Sequence, residues 1–184
     1  MVLGIPTGGV PVAAQVARAL SVPLGVLAVR KVLIPENPQL ALGAISSSGA
    51  AFMDPEVAPV YGYTRPIFQE LAEKERTELQ RMEALYYAGQ PENIVRGKIA
   101  LLINDFVASG AGFRAAAAAA RKMQAGAVVL AAPIGLGSSI GRVLAAGDVL
   151  VATTLPEYAS PHDCYQNEGP TEEEVLEILN SFRN

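Results

Sequence analysis

A chain of 184 residues with 51% hydrophobic and 17% charged side chains has the size and composition of one globular domain able to bury a core of its own. Its formal net charge of −4 argues against the clustered lysine and arginine that a nucleic-acid surface needs. A single cysteine, Cys164, and a single histidine, His162, exclude an internal disulfide framework and a Cys/His zinc cluster, and they suit a reducing cytoplasm.

The opening residues are apolar, but they lack the basic start of a signal peptide and are broken at Gly4, Pro6, Gly8, Gly9 and Pro11, so they read as structure. "MVLGI" predicts a strand, "PTGG" a turn, and Val10, Ala13, Ala17 and Leu20 one face of a helix. "VPLGVLAV", residues 22–29, predicts a second strand that ends on Arg30 and Lys31. Residues 33–60, with Pro35, Pro38, Ser46, Ser47, Ser48, Gly49, Pro55 and Pro59, fit neither the helical nor the strand period and predict a flexible loop. Residues 65–90 predict one long amphipathic helix with Phe68, Leu71, Leu79, Met82 and Leu85 on its apolar stripe, ended by "GQPEN".

"KIALLI", "AVVLAAPI" and "DVLVATT" predict further strands, and their unbroken apolar runs are those of a sheet covered on both faces. An alanine-rich helix and a short helix over residues 140–145 separate them. Thr171 and Glu174 have the spacing of a capping box, opening a last helix that carries Val175, Ile178, Leu179 and Phe182. The predicted fold is α/β, a mostly parallel central sheet flanked by helices in a Rossmann-like arrangement, as a single domain over residues 1–184 without internal repeats. No apolar run is long enough to span a bilayer, so no membrane partner is expected.

In open α/β sheets, ligands sit between the carboxyl end of a strand and the helix that follows. "LLINDFVASGAGFRAAAAAAR", residues 101–121, makes that transition through small residues: Ala108, Ser109, Gly110, Ala111 and Gly112. A backbone this unencumbered can curl around a phosphate at a helix N-terminus, with Ser109 as a hydroxyl donor. Asn104 and Asp105, at the strand end, suit sugar hydroxyls or a hydrated magnesium ion. The same small residues would equally let a helix pack close to a sheet. The loop is no Walker A motif, since no GK[ST] follows the glycines, and no G-x-S-x-G elbow is present.

The segment "LLINDFVASGAG" resembles the signature "VDDGIATGAT" with which type I phosphoribosyltransferases hold 5-phosphoribosyl diphosphate (PRPP). "VLGIPTGGVPVAAQVARAL" is similar to a pyrophosphate loop, usually "PRGGVPVA", and its helix in a bacterial branch of that family. "AVRKVLIPENPQLALGAI" and "TEEEVLEIL" resemble further segments of the branch, in the same order; residues 50–95 match least. The resemblance implies a cytoplasmic glycosyltransferase of nucleotide metabolism that transfers the phosphoribosyl group to a nucleobase or similar nitrogen acceptor, releasing pyrophosphate. In that scheme Asn104, Asp105, Ala108, Ser109, Gly110, Ala111, Gly112, Thr7, Gly8 and Gly9 bind PRPP. Asp105, Lys31 and Arg30 carry the chemistry, the two cations neutralising the leaving group. Magnesium arrives on PRPP near Asp105 rather than on a dedicated protein site. The loop from Leu33 to about Asp54 serves as a lid. The expected partners are PRPP, an unidentified acceptor base and a second copy of the chain as a homodimer.

Four departures from the family pattern put turnover in doubt. Asn104 stands in place of an aspartate, Phe106 in place of a glycine, Gly112 in place of a threonine and Thr7 in place of an arginine. Losing one well-placed charge-stabilising contact costs about 2.7–4 kcal/mol of barrier, so the alternative is a weak or inactive PRPP- or nucleotide-binding regulatory protein on the same fold. The chain also starts directly at its first strand, without the segment that precedes it in such relatives, which implies an incomplete hood. "APIGLGSSIG" is close to a dinucleotide fingerprint, but its glycine spacing is one residue too long. His162, Cys164 and Tyr165 lie where the family often builds part of its base pocket, and Tyr158 suits stacking; none of these is assigned a catalytic role.

Overall fold

The computed structural model describes residues 1–87, 94–144, 146–156, 164–166 and 169–183. Its main sheet is wholly parallel and contains β1 (Val2–Gly4), β2 (Leu24–Val26), β6 (Ile99–Ile103), β7 (Phe106–Val107), β8 (Ala127–Leu136) and β9 (Asp148–Leu155). β1 lies between β2 and β6, and β8 pairs with β6 and β7 along one edge and with β9 along the other. This is the α/β fold with a mostly parallel sheet that the apolar runs predict. Leu3, Leu102 and Leu130 are fully buried, which is why these strands read as continuous rather than alternating.

From β1 the chain crosses through α1 (Gly9–Leu20) to β2 on one side, and it later returns to the other side of β1 as β6. The strand order therefore reverses between β1 and β6. At such a switch point two loops leave the carboxyl edge in opposite directions and open a crevice between them. Here those loops are residues 5–8, after β1, and residues 104–105 and 108–110, on either side of β7.

A second, antiparallel sheet is built from β3 (Val29–Ile34), β4 (Asn37–Ser46) and β5 (Ala51–Met53), followed by the short α2 (Val57–Val60). These residues correct the expectation of an irregular loop over 33–60. Pro35 falls in the β3–β4 turn, Pro38 at the start of β4, and Pro55 and Pro59 beyond β5, all positions where a missing N–H costs no interior ladder bond. Nor does the strand predicted over residues 22–29 run straight through. It ends at Val26, and the chain changes sheets before Val29.

α5 (Ala111–Lys122) is sandwiched between the two sheets. Ala115, Ala116, Ala117, Ala119 and Ala120 are all inaccessible to solvent. A helix covered on opposite sides needs small side chains, because larger ones would push the two sheets apart. The outer face of the small sheet buries Val32, Ile34, Leu42 and Ile45 against Phe68, Leu79, Met82 and Tyr86. Those partners come from α3 (Arg65–Lys74) and α4 (Arg76–Tyr86), two helices where the sequence predicted one. The apolar stripe is interrupted by the polar residues 73–78, and the helix is broken at Glu75. "GQPEN" lies outside the described residues.

The hydroxyl of Tyr87, just after α4, accepts the Ala28 N–H at 2.9 Å and pairs with the Ser47 hydroxyl at 2.6 Å. It thereby ties the small sheet to the junction between the sheets. α6 (Gly137–Leu144) follows β8, and α7 (Glu172–Asn180) opens on the capping box predicted from Thr171 and Glu174. In that box the Glu174 N–H donates to Thr171 Oγ1 at 3.2 Å, and the Thr171 N–H donates to Glu174 Oε2 at 2.8 Å. No described helix is long and apolar enough to cross a membrane.

Candidate functional site

The crevice at the switch point is walled by the two loops that the sequence singled out, and they touch. A Cβ added at Gly8 would overlap the Asp105 carboxylate, and one added at Gly9 would overlap the Ile103 carbonyl and sit 2.9 Å from Asn104 Cα. Only bare backbone at residues 8 and 9 lets the turn after β1 settle onto the end of β6. Thr7 lies in this turn, joined to Pro6 by a cis peptide bond, and its carbonyl accepts the Val10 N–H at 3.1 Å in the first turn of α1.

β6 and β7 form one interrupted strand. Ile103 pairs with Ala131 and Phe106 with Ile134, so the register is kept across a break at Asn104 and Asp105, in which the Asn104 N–H still donates to the Ala131 carbonyl. That break presents both polar side chains at the carboxyl edge. The Asn104 amide donates to the Phe106 carbonyl at 3.0 Å, a bond an aspartate could not make because it has no donor when ionised. Phe106 is buried in β7 and paired to β8. Its backbone is not in the left-handed region that favours glycine, and the residue lines the same cleft as Lys31, Asn104 and Ser109.

Residues 108–112 form the predicted transition into α5. Gly110 is the N-cap with φ +78°, a left-handed conformation that favours glycine. The Ser109 hydroxyl accepts the Ala111 N–H at 3.4 Å, and the buried Ser139 hydroxyl of α6 donates to the Ala108 carbonyl. The Ala108 carbonyl is thus engaged by Ser139, and the positive end of α5 lies at the cradle. Lys31, Asn104, Ala108, Ser109, Gly110 and Gly112 line one cleft.

Asp105 carries a pKa above the ordinary aspartate value. Burial is the main cause, offset in part by the Asp105 and Phe106 N–H groups and by the positive charge of Lys31. Lys31 and Arg30 point to opposite sides of β3, as neighbours on a strand do. Lys31 faces the cleft, whereas Arg30 donates through Nε and Nη2 to Glu75 Oε2, at 3.0 and 2.7 Å, where α3 meets α4. Of the two cations, the structure brings Lys31 to Asp105. Among the described residues, no group of three or more His, Cys, Asp and Glu side chains is placed to hold a metal ion.

Tyr165 also reaches this edge, its hydroxyl donating to the Asp105 carbonyl at 2.7 Å. Nothing in the sequence announces that contact, or the Ser139 and Glu75 contacts, because each joins residues distant in the chain. Tyr158 and His162 lie outside the described residues. "APIGLGSSIG" runs from β8 straight into α6. A larger apolar depression of about 370 Å³ lies on the α1 face of the sheet between Val12, Val16, Ile103, Ala131, Ala132, Pro133 and Ala152; among the described residues its lining offers no polar side chain to orient a sugar phosphate.

Residues 1–145 match the family model described as a phosphoribosyl transferase domain. Two Mycobacterium tuberculosis proteins with the provisional name phosphoribosyl transferase, MT0597 of strain CDC 1551 / Oshkosh and Rv0571c of strain ATCC 25618 / H37Rv, are each 37% identical over 156 residues. The match takes in 85% of this chain and 35% of each relative, so the chain spans about a third of their length. The crystal structure of TT1426 from Thermus thermophilus is 32% identical, with a TM-score of 0.81 over 98% of this chain and 86% of that one.

Proposed function

The chain belongs to the phosphoribosyl transferase family, and from that premise we propose that it binds PRPP at the switch-point crevice and transfers the 5-phosphoribosyl group to a nitrogen acceptor, releasing pyrophosphate. The observation that carries this reading is the contact between the turn after β1 and the end of β6, which sets Gly8 and Gly9 against Asp105 and Asn104. Two loops meeting across a strand-order reversal can grip the two ends of one ligand. The cradle of Ala108, Ser109, Gly110, Ala111 and Gly112 receives the 5-phosphate on backbone N–H groups at the start of α5. Asn104 and Asp105 meet the ribose hydroxyls, and the Thr7, Gly8 and Gly9 turn, with Lys31 opposite, meets the pyrophosphate.

Charge grows on the pyrophosphate oxygens as the bond to the anomeric carbon stretches, and Lys31 is the cation this chain places to stabilise it. The half-buried Asp105 carboxylate at the crevice suits contact with a magnesium ion that comes on PRPP. When bound, magnesium would supply charge neutralisation of the pyrophosphate. Arg30 contributes to the leaving group only if it exchanges Glu75 for phosphate oxygens.

A second reading, binding without turnover, draws support from the same details. The Asn104 amide is spent on its own loop, and Arg30 on Glu75. Isothermal titration with PRPP, with and without magnesium, is expected to give saturable, magnesium-dependent binding that weakens in Asp105→Asn and Lys31→Ala. Absence of binding at millimolar PRPP would overturn both readings. Release of pyrophosphate across a panel of nitrogen acceptors would select the first over the second.

A further inference from the structure

The Asp105 carbonyl lies in the break between β6 and β7, beyond the end of β1 at Gly4. Asn104 is the last residue before the gap to use the sheet, through its N–H to the Ala131 carbonyl at 3.2 Å, and the ladder resumes at Phe106 and Ile134. The Asp105 carbonyl lies at a solvent-accessible part of that edge, where a side-chain donor can take the place of water. The Tyr165 hydroxyl supplies it at 2.7 Å from 60 residues away.

The peptide group that links Asp105 to Phe106 is planar, so fixing its C=O also fixes the direction of its N–H. That N–H belongs to Phe106 and is one of the two backbone groups that stabilise the charged Asp105 carboxylate. The carboxylate itself lies against Gly8 with no space to spare. The tyrosine hydroxyl is thus bonded to the backbone that carries the carboxylate. A rotation that released the hydroxyl would turn the carboxylate out of line.

We propose that Tyr165 is a positioning residue, which aims the Asp105 carboxylate at the ribose by clamping the peptide between residues 105 and 106. The inference rests on the reading of Asp105 as a ligand of PRPP. Tyr165 acts through backbone and touches no reacting atom. With 36% of its surface exposed, the ring is not a core element whose hydroxyl the fold requires.

The test is a double-mutant cycle on PRPP affinity, measured by calorimetry with magnesium, using Tyr165→Phe, Asp105→Asn and the double variant, with inorganic phosphate as a second probe of the cradle. Loss of one such hydrogen bond is expected to weaken PRPP binding about three- to tenfold in Tyr165→Phe. Phosphate binding should be unchanged. In the Asp105→Asn background, adding Tyr165→Phe should cost less than twofold, because no carboxylate remains to be aimed. Additive losses, or an equal loss of phosphate binding, would show a general structural role and overturn the inference. So would Tyr165→Phe binding PRPP like the parent, with the functional reading intact. A parent that bound no PRPP would overturn that reading and the inference together.

Discussion

Asp105 bears an energetic cost for its position. Buried against Gly8, with Lys31 and Tyr165 as the charged and titratable groups facing it, its pKa is raised by burial. Below the ordinary value of 3.8, the carboxyl is protonated in the folded and unfolded chains alike, and the penalty is absent. As pH rises from there through the raised folded value, the folded chain must ionise a desolvated group, and stability is lost progressively until ionisation is complete. Asp105→Asn, which removes the charge and keeps the shape, is therefore expected to raise the thermal midpoint at pH 7 while weakening PRPP binding. The gain in midpoint should vanish below pH 3.8, as thermal unfolding across pH would reveal. A residue kept in spite of its effect on stability fits a role in binding.

At the scale of elements, the cradle depends on how α5 begins. Gly110 holds φ +78° at the N-cap, and a Cβ there would overlap Val143 of α6. Gly110→Ala therefore incurs the left-handed penalty of about 1–2 kcal/mol together with an overpacking cost of about 1–3 kcal/mol. Chemical denaturation is expected to show a loss within the sum of those ranges, and phosphate affinity should fall with it, because the distortion lies at the N–H groups of the cradle. Gly112 is the contrasting position, with open space around an added Cβ inside the helix. Its loss of the family's threonine hydroxyl leaves the backbone of the cradle in place. The small sheet illustrates how an element can be hidden in composition. Its prolines and serines read as a loop, yet they sit at turns and ends, while Val32, Ile34, Leu42 and Ile45 supply the buried face between them.

For the molecule as a whole, α5 is the shared wall of two sheets, so the site at its N-terminus inherits the rigidity of both. Phe68 anchors the outer layer from α3, buried and close enough to Gly43 of β4 that a Cβ there would lie 2.7 Å from its ring. Phe68→Ala is expected to cost about 3–5 kcal/mol. Because both sheets bury surface on the same alanine helix, the loss should shift one cooperative transition in calorimetry rather than split it. Two resolved transitions would show that the small sheet folds independently of the large one.

The sequence by itself determined the parallel sheet, since continuous apolar runs separated by helical patterns admit few other arrangements. It also determined the capping box at Thr171 and the stretch of small residues that carries the cradle. These are local properties, set by side-chain periodicity and backbone freedom within a few residues. Only the tertiary structure decided that much of residues 33–60 pairs as strands, that the helix after Arg65 breaks at Glu75, and that Lys31 rather than Arg30 acts on Asp105. Strand pairing and side-chain partners join residues far apart in the chain, and their free energy is realised only when both sides are in place. For the same reason Tyr165, which the sequence placed only near an expected base pocket, takes its meaning from a single carbonyl 60 residues upstream.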